Sequence, residues 1–195
     1  MRVEHQIILE FSELSEEAKH KAHENYISKG WGDHDGIDNR KSLEEFEKYF
    51  PVNIKNWEYG YQNFINWSLD YMNEGIEELR GNRLRTFLLN NYIPYLENPK
   101  TYYSKDYKKK RKSKIQKNID CPFTGYYLDR VIIEPILKFI NAPNKQENIY
   151  SIMNDCLNEW VCACSQDIEY QNSFEYFEEM CEGNYYEFLQ DGTFI

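Results

Sequence analysis

Positively charged residues are missing from the end of this chain. Residues 146–195 contain no lysine, arginine or histidine, although they contain eleven aspartate and glutamate residues. The 195-residue chain has a net charge of −10 and a pI of about 5.0. This charge balance argues against an overall electrostatic attraction to nucleic acid or to an anionic membrane.

Long apolar segments are also missing. The longest purely aliphatic runs have three residues, at 7–9 and 131–133, and the first residues lack the apolar region of a secretory signal. A transmembrane helix needs about 20 mostly apolar residues, so neither a membrane span nor a secretory leader is predicted. The five cysteines are an odd number, which indicates reduced thiols in a cytoplasm rather than a disulfide framework.

Catalytic and metal-binding motifs are missing as well. The sequence has no glycine-rich phosphate loop, no H-E-x-x-H and no G-x-S-x-G. His20 and His23 are three residues apart, but a metal site would need further ligands, and we interpret them as surface residues. The sequence therefore predicts a protein that is not an enzyme and that has no catalytic residue, no metal and no cofactor. An enzyme stays an alternative for which no group of residues is apparent.

The residues that are present can fill a core. The chain is 41% hydrophobic and 16% aromatic, so a folded protein is predicted despite a mean hydropathy of −0.81. The length indicates one domain over residues 1–195, with a basic arm or insertion at residues 98–118.

The apolar periodicities predict an α+β fold, mainly helical, with a small antiparallel sheet that joins N- and C-terminal strands. An N-terminal strand over residues 2–11 precedes a helix over 16–28, which Ser15 caps. Asp191-Gly192 between two apolar runs is typical of a hairpin turn. The other predicted strand is 52–61, bulged near 55–57, and the other predicted helices are 43–50, 74–95, 135–140, 147–170 and 174–182.

Two of these assignments depend on glycine or proline, and one further segment stays undecided. Gly81 weakens the predicted helix 74–95 without ending it. Pro135 suits the first turn of a helix, so residues 126–133 are expected to be extended and the helix to begin at 134–135. The pattern over residues 62–73 fits a strand or a helix, and the sequence does not choose between them.

The one strongly basic segment is residues 105–117, which contain eight lysine and arginine residues and one aspartate. Its local charge is +7, so the rest of the chain carries −17. The segment could bind phosphates, with nearby tyrosines as stacking faces, or it could be a solvated loop. It could equally bind a protein partner, the acidic helices of its own chain, or those of a second copy in a homodimer. The candidate basic contacts are Lys108, Lys109, Lys110, Arg111, Lys112 and Lys114.

The acidic C-terminal residues form the second candidate surface. Like charges at i,i+4 spacing, such as Asp155 and Glu159, each cost a few tenths of a kcal/mol, roughly 0.2–0.5. A carboxylate array can imitate the phosphates of a nucleic acid and attract a basic cleft, or it can simply keep the surface soluble. The candidate acidic contacts are Asp155, Glu159, Glu175, Glu178, Glu179 and Glu182.

Four blocks resemble a family of small phage and prophage proteins of bacteria that carry an antitoxin-like label. These blocks are F-S-E-L-S-E-E-A-K-H-K-A at 11–22, C-P-F-T-G-Y at 121–126, D-I-E-Y-Q at 167–171 and N-Y-Y-E-F-L-Q-D-G at 184–192. The resemblance implies an origin on a mobile element and little else, and it assigns no residue roles. Together with the reduced thiols, a phage origin leads us to expect the host cytoplasm as the site of action. Residues 63–73 depart from the family because they lack its glycine-rich loop.

Together these observations predict a phage-encoded, non-enzymatic inhibitor of a bacterial defence system, similar in action to anti-CRISPR proteins. Its acidic surface would imitate nucleic acid and bind a defence protein or ribonucleoprotein complex. The alternative is a nucleic-acid-binding protein that uses the basic arm at residues 105–117.

Overall fold

The computed structural model confirms an α+β fold that is mainly helical. It describes residues 6–30, 36–70, 75–93, 101–103, 110–112 and 121–195. The α-helices within these ranges are α1 (Glu16–Ser28), α2 (Ile37–Tyr49), α3 (Gly81–Asn91), α4 (Tyr127–Asn141), α5 (Ile149–Gln171) and α6 (Phe174–Asn184). None of them is both long and apolar enough to cross a membrane.

The described strands form three antiparallel pairs. They are β1 (Ile8–Glu10), β2 (Val52–Glu58), β3 (Phe64–Leu69), β4 (Thr101–Tyr103), β5 (Lys110–Lys112) and β6 (Glu187–Leu189). The pair β1–β6 confirms the predicted sheet between the two ends of the chain. The pair β2–β3 has a register shift between Ile54 and Asn56, close to the predicted bulge.

The chain divides into two compact units. Met1–Asp35 and Ser165–Ile195 form the first unit, and Gly36–Cys164 form the second. The expectation of a single domain stays a prediction, because compactness alone does not show whether either unit folds independently.

The first unit has an aromatic core around Phe11. The Phe11 ring lies 5.3 Å from Phe177 and 5.9 Å from Phe188, and all three side chains are buried. Helix α1 begins as predicted, because the Ser15 hydroxyl accepts a hydrogen bond from the Ala18 N–H. Helix α1 contributes Ala18 to the same core.

The end of the chain turns back in the first unit as the Asp-Gly pair predicted. Leu189 N–H donates to Thr193 O at 2.8 Å, and Phe188 bridges Phe194 in antiparallel register. Lys21 of α1 pairs with Asp191 at 2.7 Å, and this hydrogen bond lowers the pKa of the Asp191 carboxyl to about 2. The turn is therefore held against α1 by charge as well as by packing.

The second unit is built around the apolar faces of α4 and α5. Trp160 of α5 is fully buried, and its indole N–H donates to the Asn39 carbonyl oxygen at 3.2 Å. The rings of Trp57 and Tyr59, which stack at 5.3 Å, both meet Trp160 edge to face. Strand β2 and its tip thus pack on α5 through aromatic pairs.

Helix α4 begins at Tyr127, so the prediction of an extended 126–133 segment and a helix start at 134–135 is wrong. Pro135 lies inside the helix, where a proline costs about 3 kcal/mol because it lacks an N–H and crowds the preceding turn. Burial of the apolar face offsets that cost: Leu128, Ile132, Ile133, Ile136, Phe139 and Ile140 are 0–3% exposed.

Two other helix boundaries also differ from the predictions. Helix α2 begins at Ile37 rather than at 43, because its first turns bury polar residues, Asn39 and Ser42, which break the apolar period. Helix α3 begins at Gly81 rather than at 74, because Gly81 has a φ of +53°, which does not continue a right-handed helix. The undecided 62–73 segment contains a strand, β3.

Candidate partner-binding surfaces

Helix α6 carries four of the six predicted acidic contacts. Ser173 caps this helix through a hydrogen bond from the Tyr176 N–H, and Phe177 and Cys181 are its buried residues. The polar positions of the helix are therefore left for the other face. Three of the four carboxylates are exposed and the Glu178 side chain is half-buried; the four are Glu175, Glu178, Glu179 and Glu182.

The carboxylates of this helix contribute to raised pKa values of two neighbouring groups. The pKa of the Cys181 thiol is raised to about 12, first because the thiol is buried and then because Glu178 and Glu182 oppose another negative charge. The pKa of Tyr170 is raised mainly by its 3.2 Å hydrogen bond to Glu179, then by burial and by the charges of Glu179 and Glu175. Burial is thus the main cause for Cys181 and a hydrogen bond the main cause for Tyr170, and the charges of the α6 carboxylates add to both shifts.

The other two predicted acidic contacts, Asp155 and Glu159, belong to the second unit. Both are exposed on α5 and line a groove between α4 and α5 with a volume of about 450 Å³. Sequence reasoning identified these carboxylates but not the groove, because the groove exists only where α4 packs beside α5.

The ion pairs among the described residues leave all six predicted acidic contacts without a cation. These pairs are Lys19–Glu16, Lys21–Asp191, Arg40–Glu44, Lys41–Asp38, Lys48–Glu45 and Arg130–Glu134. A carboxylate that is exposed and unpaired attracts a cationic partner more strongly than one already neutralised.

The predicted basic contacts fall partly on a two-stranded ribbon. Lys110, Arg111 and Lys112 make up strand β5, whose backbone pairs with β4 in the register Thr101↔Lys112, Tyr102↔Arg111 and Tyr103↔Lys110. The other three basic candidates lie outside the described residues; they are Lys108, Lys109 and Lys114. The structure thus gives a backbone arrangement for half of the predicted basic surface.

A buried carboxylate that sequence reasoning missed organises the second unit. Asp129 is fully buried at the third position of α4, and its Oδ2 accepts the N–H groups of Phe123, Thr124 and Gly125 at 2.6–3.0 Å. Its Oδ1 accepts the hydroxyls of Ser42 at 2.7 Å and Thr124 at 3.0 Å. The five donors satisfy the hydrogen-bonding capacity of the carboxylate, so Asp129 has a structural role. We call this carboxylate and its five donors the latch. The available signal was an aspartate soon after a Thr-Gly turn, in the first turn of a helix.

The two histidines of α1 pack on an aromatic ring. The rings of His20 and His23 lie 5.1 and 5.4 Å from Phe174, and a ring nitrogen of His23 is 2.9 Å from the Asn172 carbonyl oxygen. Across the described ranges, no three His, Cys, Asp or Glu side chains are grouped so that they could hold a metal ion.

Comparisons of the chain with protein-family models, with curated proteins and with solved structures gave no match.

Proposed function

We propose that this chain is a non-enzymatic inhibitor whose acidic helix faces occupy a positively charged nucleic-acid channel of a bacterial defence protein or ribonucleoprotein complex. The observation that carries the proposal is the carboxylate row of α6, which no cation of the described residues neutralises. The resemblance to phage and prophage proteins supports the choice of a bacterial defence system and of the host cytoplasm as the place of action.

The spacing of the row supports imitation of a nucleic acid. At 1.5 Å per residue, the four carboxylates from Glu175 to Glu182 extend over roughly 10 Å of the helix axis. The successive axial steps are about 4.5, 1.5 and 4.5 Å, so the spacing is uneven, and only its mean of about 3.5 Å is close to the roughly 3.4 Å between phosphates of one DNA strand. A cleft that has evolved to bind phosphates would attract this row from a distance.

The first test removes the charge of the row. Changing Glu175, Glu178, Glu179 and Glu182 to glutamine is expected to weaken inhibition about 30-fold, at roughly 0.5 kcal/mol for each exposed charge pair. The measurement is displacement of a fluorescent target duplex from purified RNA-guided effector complexes. The wild-type chain should lose potency steeply between about 50 and about 200 mM salt.

A matched control changes four carboxylates to the corresponding amides. Each of the four already pairs with lysine or arginine; they are Glu16, Asp38, Glu44 and Glu45. Its net charge equals that of the α6 variant, yet it should inhibit as well as the wild type. The proposal is contradicted if the α6 variant is as potent as the wild type or if both variants lose the same potency. It is also contradicted if the wild-type chain displaces no duplex.

A second candidate function is nucleic-acid binding by the β4–β5 ribbon. The observation that favours it is the register, which places Tyr102 opposite Arg111 and sets three consecutive basic residues in one paired strand. A two-stranded ribbon fits the major groove of a duplex, and its cations would contact phosphates.

The ribbon is tested by changing Lys110, Arg111 and Lys112 to alanine. Each lost phosphate contact lowers the slope of log binding constant against log salt concentration by about one. The variant should therefore bind at least about tenfold more weakly at low salt. A gel shift with single- and double-stranded DNA and RNA is the measurement. The charge-matched control carries alanine at Arg40, Lys41 and Lys48 and should bind normally. The candidate is abandoned if the wild type shifts no probe.

A further inference from the structure

The groove between α4 and α5 has an apolar floor. Phe139 of α4 and Ile152 of α5 line it, and both are almost completely buried, while the half-buried Pro135 forms part of the α4 wall. Its volume of about 450 Å³ falls in the range of sites that enclose small ligands or anchoring side chains. The apolar surface open to a ligand with an apolar stem therefore comes mainly from Pro135 and the exposed Ala142.

The rim of the groove is negative. Glu147, Asp155 and Glu159 supply three carboxylates, against one amine from Lys138. Asp155 and Glu159 are one helical turn apart on the exposed side of α5, so their charges repel each other. The ion pairs of the described residues involve none of these four side chains. A cation placed between the two α5 carboxylates would relieve that repulsion.

The combination of floor and rim favours a guanidinium group over an ammonium group. An arginine side chain presents a planar fork of donors that can bond two carboxylates at once, and it is less strongly hydrated than lysine. Its three methylene groups could pack along Pro135 and Ala142, the apolar lining residues that are not buried, while the charged end stays at the rim. A groove of this volume also has room for the peptide backbone on either side of that residue.

We propose that the α4–α5 groove takes an arginine side chain of a basic partner protein as an anchor, with the guanidinium between Asp155 and Glu159. The inference rests on the proposed function, because it names the partner group that a second acidic site would hold. It also separates two roles, since α6 would supply long-range attraction and the groove would supply a specific contact.

The charge of the groove can be measured without any partner, because Cys162 lines it. All five cysteines lie in the described residues, and Cys162 alone is exposed. The test compares its rates of reaction with two methanethiosulfonates, one bearing a trimethylammonium group and one bearing a sulfonate. Relative to free cysteine, the ratio of cationic to anionic rates should be about tenfold higher at Cys162. A Cys162→Ser variant identifies the contribution of this thiol.

The Asp155→Asn/Glu159→Gln double variant should return the ratio to near the value for free cysteine. The matched control, Glu175→Gln/Glu179→Gln, removes two charges with the same spacing on α6 and should leave the ratio high. A ratio equal to that of free cysteine in the wild type, or a ratio that neither variant changes, overturns the inference. These outcomes do not depend on the duplex-displacement assay, so the anchor and the inhibitor can fail separately.

The identity of the anchor is tested with short blocked peptides that contain one arginine, lysine or citrulline. The arginine peptide should slow alkylation of Cys162 by neutral iodoacetamide, the lysine peptide should slow it less, and citrulline, which lacks the charge, should not slow it. Equal protection by arginine and lysine overturns the guanidinium assignment. Protection that rises with protein concentration in the absence of peptide would show that a second copy of the chain occupies the groove instead.

Discussion

Replacing Asp129 with alanine is expected to destabilise the chain by about 3–5 kcal/mol, because it leaves several buried donors without an acceptor. The Asp129 carboxylate now accepts three consecutive N–H groups, from Phe123 to Gly125, and two hydroxyls. Those N–H groups belong to the turn that leads into α4, and the carboxylate also lies where the helix dipole favours a negative charge. The free energy of unfolding, measured by urea denaturation, tests this expectation.

Two further substitutions separate lost hydrogen bonds from lost volume. In Asp129→Asn, the amide oxygen can still accept the three N–H groups and the NH₂ can donate to the hydroxyls of Ser42 and Thr124, so the loss should be only about 1–2 kcal/mol. In Ser42→Ala, a single hydroxyl is removed and the other four donors remain, so a loss of about 1 kcal/mol is expected. If Asp129→Ala is no worse than Asp129→Asn, the hydrogen-bond network is not what stabilises the turn.

The latch also shows why part of the fold was predictable and part was not. Helix α1, helix α6 and the Asp191-Gly192 turn follow from signals a few residues long, such as the caps Ser15 and Ser173. At the start of α4, four of the five hydrogen bonds to Asp129 come from residues four to six positions earlier, and only the Ser42 hydroxyl is distant in sequence. The helix start was placed at 134–135 because the sequence shows the cost of a proline inside a helix but not the burial of the apolar face that offsets it.

Part of the candidate site was likewise predictable from the sequence, and part of it was not. The surplus of carboxylates could be counted in the sequence, and the predicted helix 174–182 includes Glu175 and Glu179, which are exposed in the structure. The groove beside Asp155 and Glu159 could not be predicted, because it exists only where α4 packs beside α5. Charge composition is a property of the chain, whereas a concave site is a property of its packing.

We expect Gly192→Ala to be the most destabilising substitution in the first unit. Gly192 has a φ of +82°, and a Cβ at this position would lie 2.2 Å from the carbonyl oxygen of Ala18 in α1. An oxygen of a buried helix backbone cannot move aside cheaply, so the turn would have to leave α1 and give up the Lys21–Asp191 pair. We expect a loss of about 3 kcal/mol or more, from overpacking together with left-handed strain.

Gly75 provides a control for the backbone strain alone. Its φ of +84° is almost the same, yet nothing lies within 4 Å of a Cβ built on it. Gly75→Ala should therefore cost only the left-handed conformation, about 1–2 kcal/mol. The difference between the two variants in urea denaturation isolates the contact with Ala18. Equal losses would mean that the turn does not approach α1 closely, and that the Gly192 side of the first unit packs differently in solution.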